Sequence, residues 1–155
     1  YKIMKIAFAS DHAGFNAKKE LMTFAEDFGY QVVDFGTYST DSCDYPDFVY
    51  PAAKAVAQEE CEKGIFICST GIGVSICANK VKGIRCALCT DVFQAEMTRR
   101  HNNSNCLAMG ANVTTFEIMK RITAVFLETG FEGGRHLRRV EKMMAIEDEQ
   151  NGKTE

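Results

Sequence analysis

The run Cys68-Ser69-Thr70-Gly71-Ile72-Gly73-Val74-Ser75 sets a thiol and several hydroxyls around two glycines. Glycines let backbone amides come close to a ligand. Amides at a helix start favour negative charge, and the same field favours a thiolate over a thiol. Cys68 would then serve as a base while the amides hold an anionic oxygen. A tight strand-to-helix turn around a buried cysteine accounts for the same residues equally well. The run is not a dinucleotide fingerprint, which needs glycine in place of Ile76. It is not a P-loop either, because no Gly-Lys-Ser/Thr follows.

Three further segments carry groups able to move protons or hold anions. Asp11 and His12 in Ser10-Asp11-His12-Ala13-Gly14 pair a carboxylate with an imidazole, which suits proton shuttling or a hydroxyl-rich ligand. The plainer reading makes Asp11 a helix cap and His12 a surface residue. In Arg99-Arg100-His101-Asn102-Asn103, His101 is either an acid at a loop edge or a charge offsetting a helix C-terminus. After Gly133-Gly134, Arg135 and Arg139 stand four apart on one helical face, either a phosphate clamp or a solvated basic face. The chain has three histidines, and each falls in one of these segments.

The elements that must position them alternate between strand and helix. Ile3–Ser10 reads as a buried strand. A helix with Ala17, Leu21, Phe24, Ala25 and Phe28 on one face follows, and Gly29 ends it. Gln31–Phe35, Ile65–Cys68, Ile84–Cys89 and Asn105–Met109 are the remaining strands. Helices are expected around Phe48–Ala57, Val74–Val81 and Val92–Arg100, the last capped by Asp91. Thr114-Thr115-Phe116-Glu117 reads as a capping box that opens a helix reaching Gly130. A last helix is expected from Arg135 to Ile146, before a polar tail over residues 147–155. This alternation predicts a single-domain α/β/α sandwich on a five-stranded parallel, Rossmann-like sheet with no dinucleotide site. Ligands of such sheets bind beyond the strand C-termini, where the Asp11 and Cys68 segments fall.

Composition narrows the function further. The 155 residues are 46% apolar and 25% charged, the balance of an ordinary globular domain. A net charge of −3 gives no electrostatic case for nucleic acid or an anionic membrane. No apolar run approaches the ~20 residues of a membrane span. The cysteines at 43, 61, 68, 77, 86, 89 and 106 are odd in number and come without a secretion signal. Reduced thiols and a cytoplasmic location are therefore expected. Cys86-Ala-Leu-Cys89 has CxxC spacing, but on a strand its thiols face opposite sides, which fits core packing better than redox or zinc chemistry. No metal site and no cofactor is expected.

Taken together, the segments resemble the ribose-5-phosphate isomerase B family, which includes the allose- and galactose-6-phosphate isomerases. The resemblance runs from Met4 to Ile146. It is carried by Ser10–Gly14, Asp44-Tyr45-Pro46, Cys68–Gly73, Ala78-Asn79-Lys80, Gly83-Ile84-Arg85, His101-Asn102-Asn103 and Glu132-Gly133-Gly134-Arg135-His136. Each piece is weak alone, but their order and spacing are specific. The resemblance implies one isomerase domain over residues 4–146. It also implies a homodimer or dimer of dimers whose active sites are shared between subunits.

By the same resemblance, Cys68 is the base that moves a proton between C1 and C2 of a sugar phosphate. Some members use a glutamate on the next helix, but Val74 stands at that position here. Thr70 and the amides around Gly71–Gly73 would hold the enediolate, and Ser69 would bind substrate. His101 would protonate the ring oxygen with Asp11 taking part. Asn102 and Tyr45 would bind hydroxyls, and His12, Arg135 and Arg139 would surround the phosphate. Asn112 stands where many members carry an arginine, so one phosphate ligand is missing or supplied differently. The alternatives are the same reaction on a six-carbon sugar phosphate, a non-catalytic phosphosugar-binding module, and a thiol redox sensor.

Overall fold

The computed structural model describes residues 3–152. Its elements are β1 (Lys5–Ser10), α1 (Phe15–Asp27), β2 (Gln31–Asp34), α2 (Pro46–Ala57), β3 (Lys63–Cys68), α3 (Ile72–Asn79), β4 (Cys86–Leu88), α4 (Val92–Asn102), β5 (Cys106–Gly110), α5 (Phe116–Glu128) and α6 (Arg135–Gln150). The five strands are all parallel and lie in the order β2-β1-β3-β5-β4. From β1 the chain steps outward to β2, then returns to the other side of β1 with β3. A crevice opens at such a reversal, beyond the C-terminal ends of the two strands. Asp11 and His12 follow β1, and the Cys68 loop follows β3.

Strand period sorts the core into two layers. Ala7, Ala9, Phe66, Cys68 and Ala108 face α2 and α3, packing on Val49, Ala53, Val74 and Ala78. Ile6, Phe8, Ile65, Ile67, Leu107 and Met109 face the other way, onto Leu21, Ala25, Ala95, Met119, Ile122 and Phe126. The two cysteines of the CxxC spacing divide between these layers, Cys86 against the first and Cys89 within the second. All seven cysteines are free. Among the described residues no helix is long and apolar enough to cross a membrane.

Three local expectations are corrected. The capping box does not form. Thr114 is buried in the turn after β5, so Thr115 becomes the cap of α5 and accepts from the Ile118 amide at 3.4 Å, while Glu117 pairs with Lys120 at 3.0 Å. Phe28 ends α1 exposed (57%), whereas Lys18 is wholly buried with Nζ 2.6 Å from both Asp34 Oδ1 and the Thr37 carbonyl. Ala17, Leu21, Phe24 and Ala25 pack into the second layer as expected, so the departure is confined to the burial of Lys18 and the exposure of Phe28. The last helix also extends past Ile146. Glu147 accepts from the Gly83 amide at 2.9 Å and Asp148 meets Lys82 at 3.4 Å, which holds that turn in place. The Asp91 cap is present, accepting from the Gln94 amide at 2.7 Å.

Candidate active site

Cys68 is the last residue of β3, 5% exposed, with Gly110 as its register partner on β5. The Gly71 amide donates to Cys68 Sγ at 3.1 Å. Gly71 caps α3 at φ +82°, a left-handed conformation that glycine adopts without strain. A methyl group there would lie 2.6 Å from Leu88 Cδ1 and 2.8 Å from the Met109 carbonyl carbon, so neither conformation nor space admits a side chain. The sulfur therefore sits at a helix N-terminus with an amide aimed at it, and negative charge on it is stabilised. Val74, one turn into α3, is fully buried in the core and offers no competing carboxylate.

The remaining groups at this edge gather around the same loop. Thr70 is exposed, and its Oγ1 accepts from the Ile72 amide at 3.2 Å. Tyr45, at the start of α2, covers Gly73 so closely that a methyl group there would fall 2.6 Å from the phenol oxygen. Asp11 is 8% exposed and its Oδ1 accepts from the Gly14 amide at 3.0 Å. His12 Nδ1 accepts from the Cys43 amide at 3.3 Å, which leaves Nε2 as the donor. The turn after β5 ties the loop down. Ala111 and Asn112 amides donate to the Cys68 and Ser69 carbonyls, each at 2.9 Å, and Asn112 Nδ2 reaches Ser69 Oγ at 2.7 Å. Asn112 thus holds the Ser69 hydroxyl.

The other expected residues lie elsewhere in the chain. His101 and Asn102 end α4, about 15 Å of helix away from its start at the sheet's C-terminal edge. Arg85, just before β4, donates to the Asn102 and Asn103 carbonyls at 3.0 and 2.7 Å, so this end of α4 lies where the strands begin. Asn102 borders a groove of about 460 Å³ with Asn79, Arg85, Thr98 and Met143. His101 stacks on His136 from α6, and Arg135 and Arg139 are exposed on the first turns of that helix. One chain therefore brings Cys68, Ser69, Thr70, Gly71, Gly73, Asp11, His12 and Tyr45 to one edge. It leaves His101, Asn102, Arg135 and Arg139 at the other.

The fold and both halves of the site can be set against known proteins. The Ribose/Galactose Isomerase family model matches residues 6–143. The chain belongs to this family. It is 44% identical to ribose-5-phosphate isomerase B of Escherichia coli (strain K12), over 95% of this chain and 99% of that protein. Clostridium thermocellum ribose-5-phosphate isomerase B superposes with a TM-score of 0.93 at 48% identity, covering 95% of this chain and 99% of the other. Ribose-5-phosphate isomerase B of Mycoplasma genitalium, solved with bound ribulose-5-phosphate, gives 0.91 at 38% identity, covering 96% and 99%.

Five of the other thiols are poor candidates for chemistry. Burial pushes the thiols of Cys61, Cys77, Cys86, Cys89 and Cys106 up, that of Cys89 to about 12. Among the described residues one group has its ligand atoms close enough for an ion, those of His101, Glu132 and His136 lying within 4.8 Å of one another. The two imidazoles are 9° from parallel, so their in-plane lone pairs run in separate planes. A single ion could not lie on both without turning a ring. Glu132 and His136 were not singled out as site residues from sequence. Their i, i+4 spacing beside the third histidine was the available signal.

Proposed function

We propose that the chain interconverts ribose 5-phosphate and ribulose 5-phosphate through an enediolate, with Cys68 as the base. The observation that carries this reading is the Gly71 amide aimed at Cys68 Sγ, 3.1 Å away at the head of α3. The likeness to the E. coli and C. thermocellum isomerases, and to the M. genitalium enzyme with ribulose-5-phosphate, supports this substrate.

The reaction opens with His101 giving a proton to the ring oxygen as the C1–O4 bond breaks, while Asp11 takes the proton of the O1 hydroxyl. Cys68 thiolate then removes the C2 hydrogen. Charge develops on O1, where Thr70 and the amides of residues 71–73 receive it. The O2 hydroxyl proton passes to O1, and Cys68 returns its proton to C1. Tyr45, Ser69 and Asn102 hold hydroxyls, and His12, Arg135 and Arg139 take the phosphate. Neither arginine has an acidic partner among the described residues, so both are available for an anion.

His101 lies too far from Cys68 in one chain to share a substrate with it, so the working site combines Cys68 of one copy with His101, Asn102, Arg135 and Arg139 of another. Ile72, Ile76 and Phe93 on α3 and α4, and Leu137, Met143 and Ile146 on α6, are exposed apolar side chains available to a homodimer contact. The seven free thiols favour a reducing, cytoplasmic setting.

Proton NMR in deuterated water with ribose 5-phosphate tests the reaction. Ribulose 5-phosphate carrying deuterium is expected from the unmutated protein and not from Cys68→Ala, which still binds substrate. Normal turnover by that variant would remove Cys68 as the base. Allose 6-phosphate and galactose 6-phosphate run alongside decide sugar length. Mixing inactive Cys68→Ala with inactive His101→Ala and re-forming dimers should recover about a quarter of wild-type activity, because each mixed dimer regains one intact site. No recovery despite formation of mixed dimers would refute the shared site.

A further inference from the structure

His101 and His136 stack face to face, with ring centroids 4.0 Å apart. They belong to different elements, the last turn of α4 and the first of α6. Glu132, in the link before α6, turns one oxygen toward both rings: Oε1 is 3.8 Å from His101 Nε2 and 3.5 Å from His136 Nε2. Glu132 is itself anchored on α4. Its amide donates to the Arg100 carbonyl at 3.0 Å, and the Arg100 guanidinium lies 3.9 Å from its other carboxylate oxygen.

One carboxylate facing two imidazoles favours a single bound proton, because a second would put two cations in contact. Burial decides which ring holds it. The His136 side chain is 8% exposed and that of His101 is 37% exposed. His136 Nε2 is buried and has no hydrogen bond among the described residues. Burial, then His101 and Arg135, hold the His136 imidazole below the usual histidine range; Arg139 adds to this and Glu132 opposes it. Arg100, whose charge Glu96 also faces at 2.7 Å, is the remaining cation beside Glu132. Charge is therefore disfavoured on the buried ring.

We propose that Glu132 and His136 are positioning residues for His101, His136 fixing its ring plane by stacking and Glu132 keeping a proton on it for transfer to the ring oxygen of a closed sugar phosphate. The proposal rests on the isomerase reading above and adds to it two residues that touch no substrate. The proton leaves His101 for O4 as the C1–O4 bond breaks, and solvent restores it.

The test compares two substrates of the full-length protein. Ribose 5-phosphate closes to a furanose and must be opened. Erythrose 4-phosphate carries its phosphate on O4, so it cannot close that ring and needs no such acid. His136→Ala and Glu132→Gln are expected to lower kcat on ribose 5-phosphate at least ~10-fold with KM within ~3-fold, and to leave erythrose 4-phosphate turnover within ~3-fold. His136→Phe keeps a stacking ring that does not titrate, and should restore ribose 5-phosphate turnover to within ~3-fold of the unmutated protein. In Glu132→Gln the alkaline limb of the ribose 5-phosphate profile should move to lower pH, because the proton is no longer held by a carboxylate.

Equal losses on both substrates, no recovery with phenylalanine, or an unmoved alkaline limb would overturn the proposal. Failure of the unmutated protein on both sugars would overturn the isomerase reading instead. The stack can also be tested without substrate, since the chain has only three histidines. Ring-current shifts of the His101 protons are expected in the unmutated protein and His136→Phe and not in His136→Ala, and their absence from the unmutated protein would refute the stack.

Discussion

Gly110 ends β5 against the loop that carries Cys68, and Gly110→Ala tests whether that close approach sets the geometry of the proposed base. A methyl group at this position would lie 2.4 Å from the Thr70 carbonyl carbon, 2.5 Å from its oxygen and 2.7 Å from its Cα. Ordinary contact begins near 3.4 Å, so the Thr70 backbone must retreat by about 1 Å. The obstacle is main chain, and no rotamer change relieves it. Three hydrogen bonds from the turn after β5 tie the same loop and must shift with it. Overpacking of this kind costs about 1–3 kcal/mol of stability, whereas a displacement of about 1 Å at reacting groups costs about 10²-fold in rate. Steady-state turnover of ribose 5-phosphate and urea unfolding followed by circular dichroism, on the same preparation, separate the two effects. Gly130→Ala is the control, because none of the described residues lies within 4 Å of its added methyl. A folded Gly110→Ala protein with kcat within ~3-fold of the unmutated one would refute the reasoning.

Two further predictions concern stability. Asp34→Asn leaves the fully buried Lys18 ammonium without its counter-charge and should cost about 3 kcal/mol in urea unfolding; a loss below ~1 kcal/mol would show that the pair is not needed. Burial, aided by Arg99, lowers Lys63 from 10.5 to about 8, so the unfolded chain binds the extra proton and stability rises between about pH 8 and pH 10.5. Lys63→Met should accordingly be more stable than the unmutated protein by about 1–2 kcal/mol at pH 7, after allowing for solvent screening, and the advantage should shrink as pH approaches 10.5. A difference independent of pH would contradict the assignment.

What could be read from sequence follows from how local each cause is. β1 and β3 are legible because a strand buried on both faces must be apolar at successive positions, as Ile6-Ala7-Phe8-Ala9 and Ile65-Phe66-Ile67-Cys68 are. The Cys68 loop is legible because its glycines and hydroxyls are contiguous. The burial of Lys18 is not, because it becomes a core residue only where Asp34 and the Thr37 carbonyl meet it, and both come from beyond the helix. Nor is the insertion of β5 between β3 and β4, which no local pattern encodes. That insertion makes Gly110 the neighbour of Cys68 and puts Asn112 on Ser69. The stack of His101 on His136 likewise depends on two helix ends whose histidines are 35 residues apart.

The separation of the candidate residues into two groups has a topological cause. In a parallel sheet each strand ends at one edge, and each crossover helix carries the chain back to the other. Asp11, His12 and residues 68–73 follow strands, so they collect at the crevice between β1 and β3. His101 and Asn102 finish a helix, so they stand where strands begin, and Arg85 holds them there. No rotamer carries an imidazole across that span. On this reading the acid and base of one chain never serve the same sugar, and assembly is a condition of turnover. His101 must then arrive at a partner's site already oriented and protonated. Glu132 and His136 supply both properties from within its own chain, which is why they lie beside the acid and away from the base.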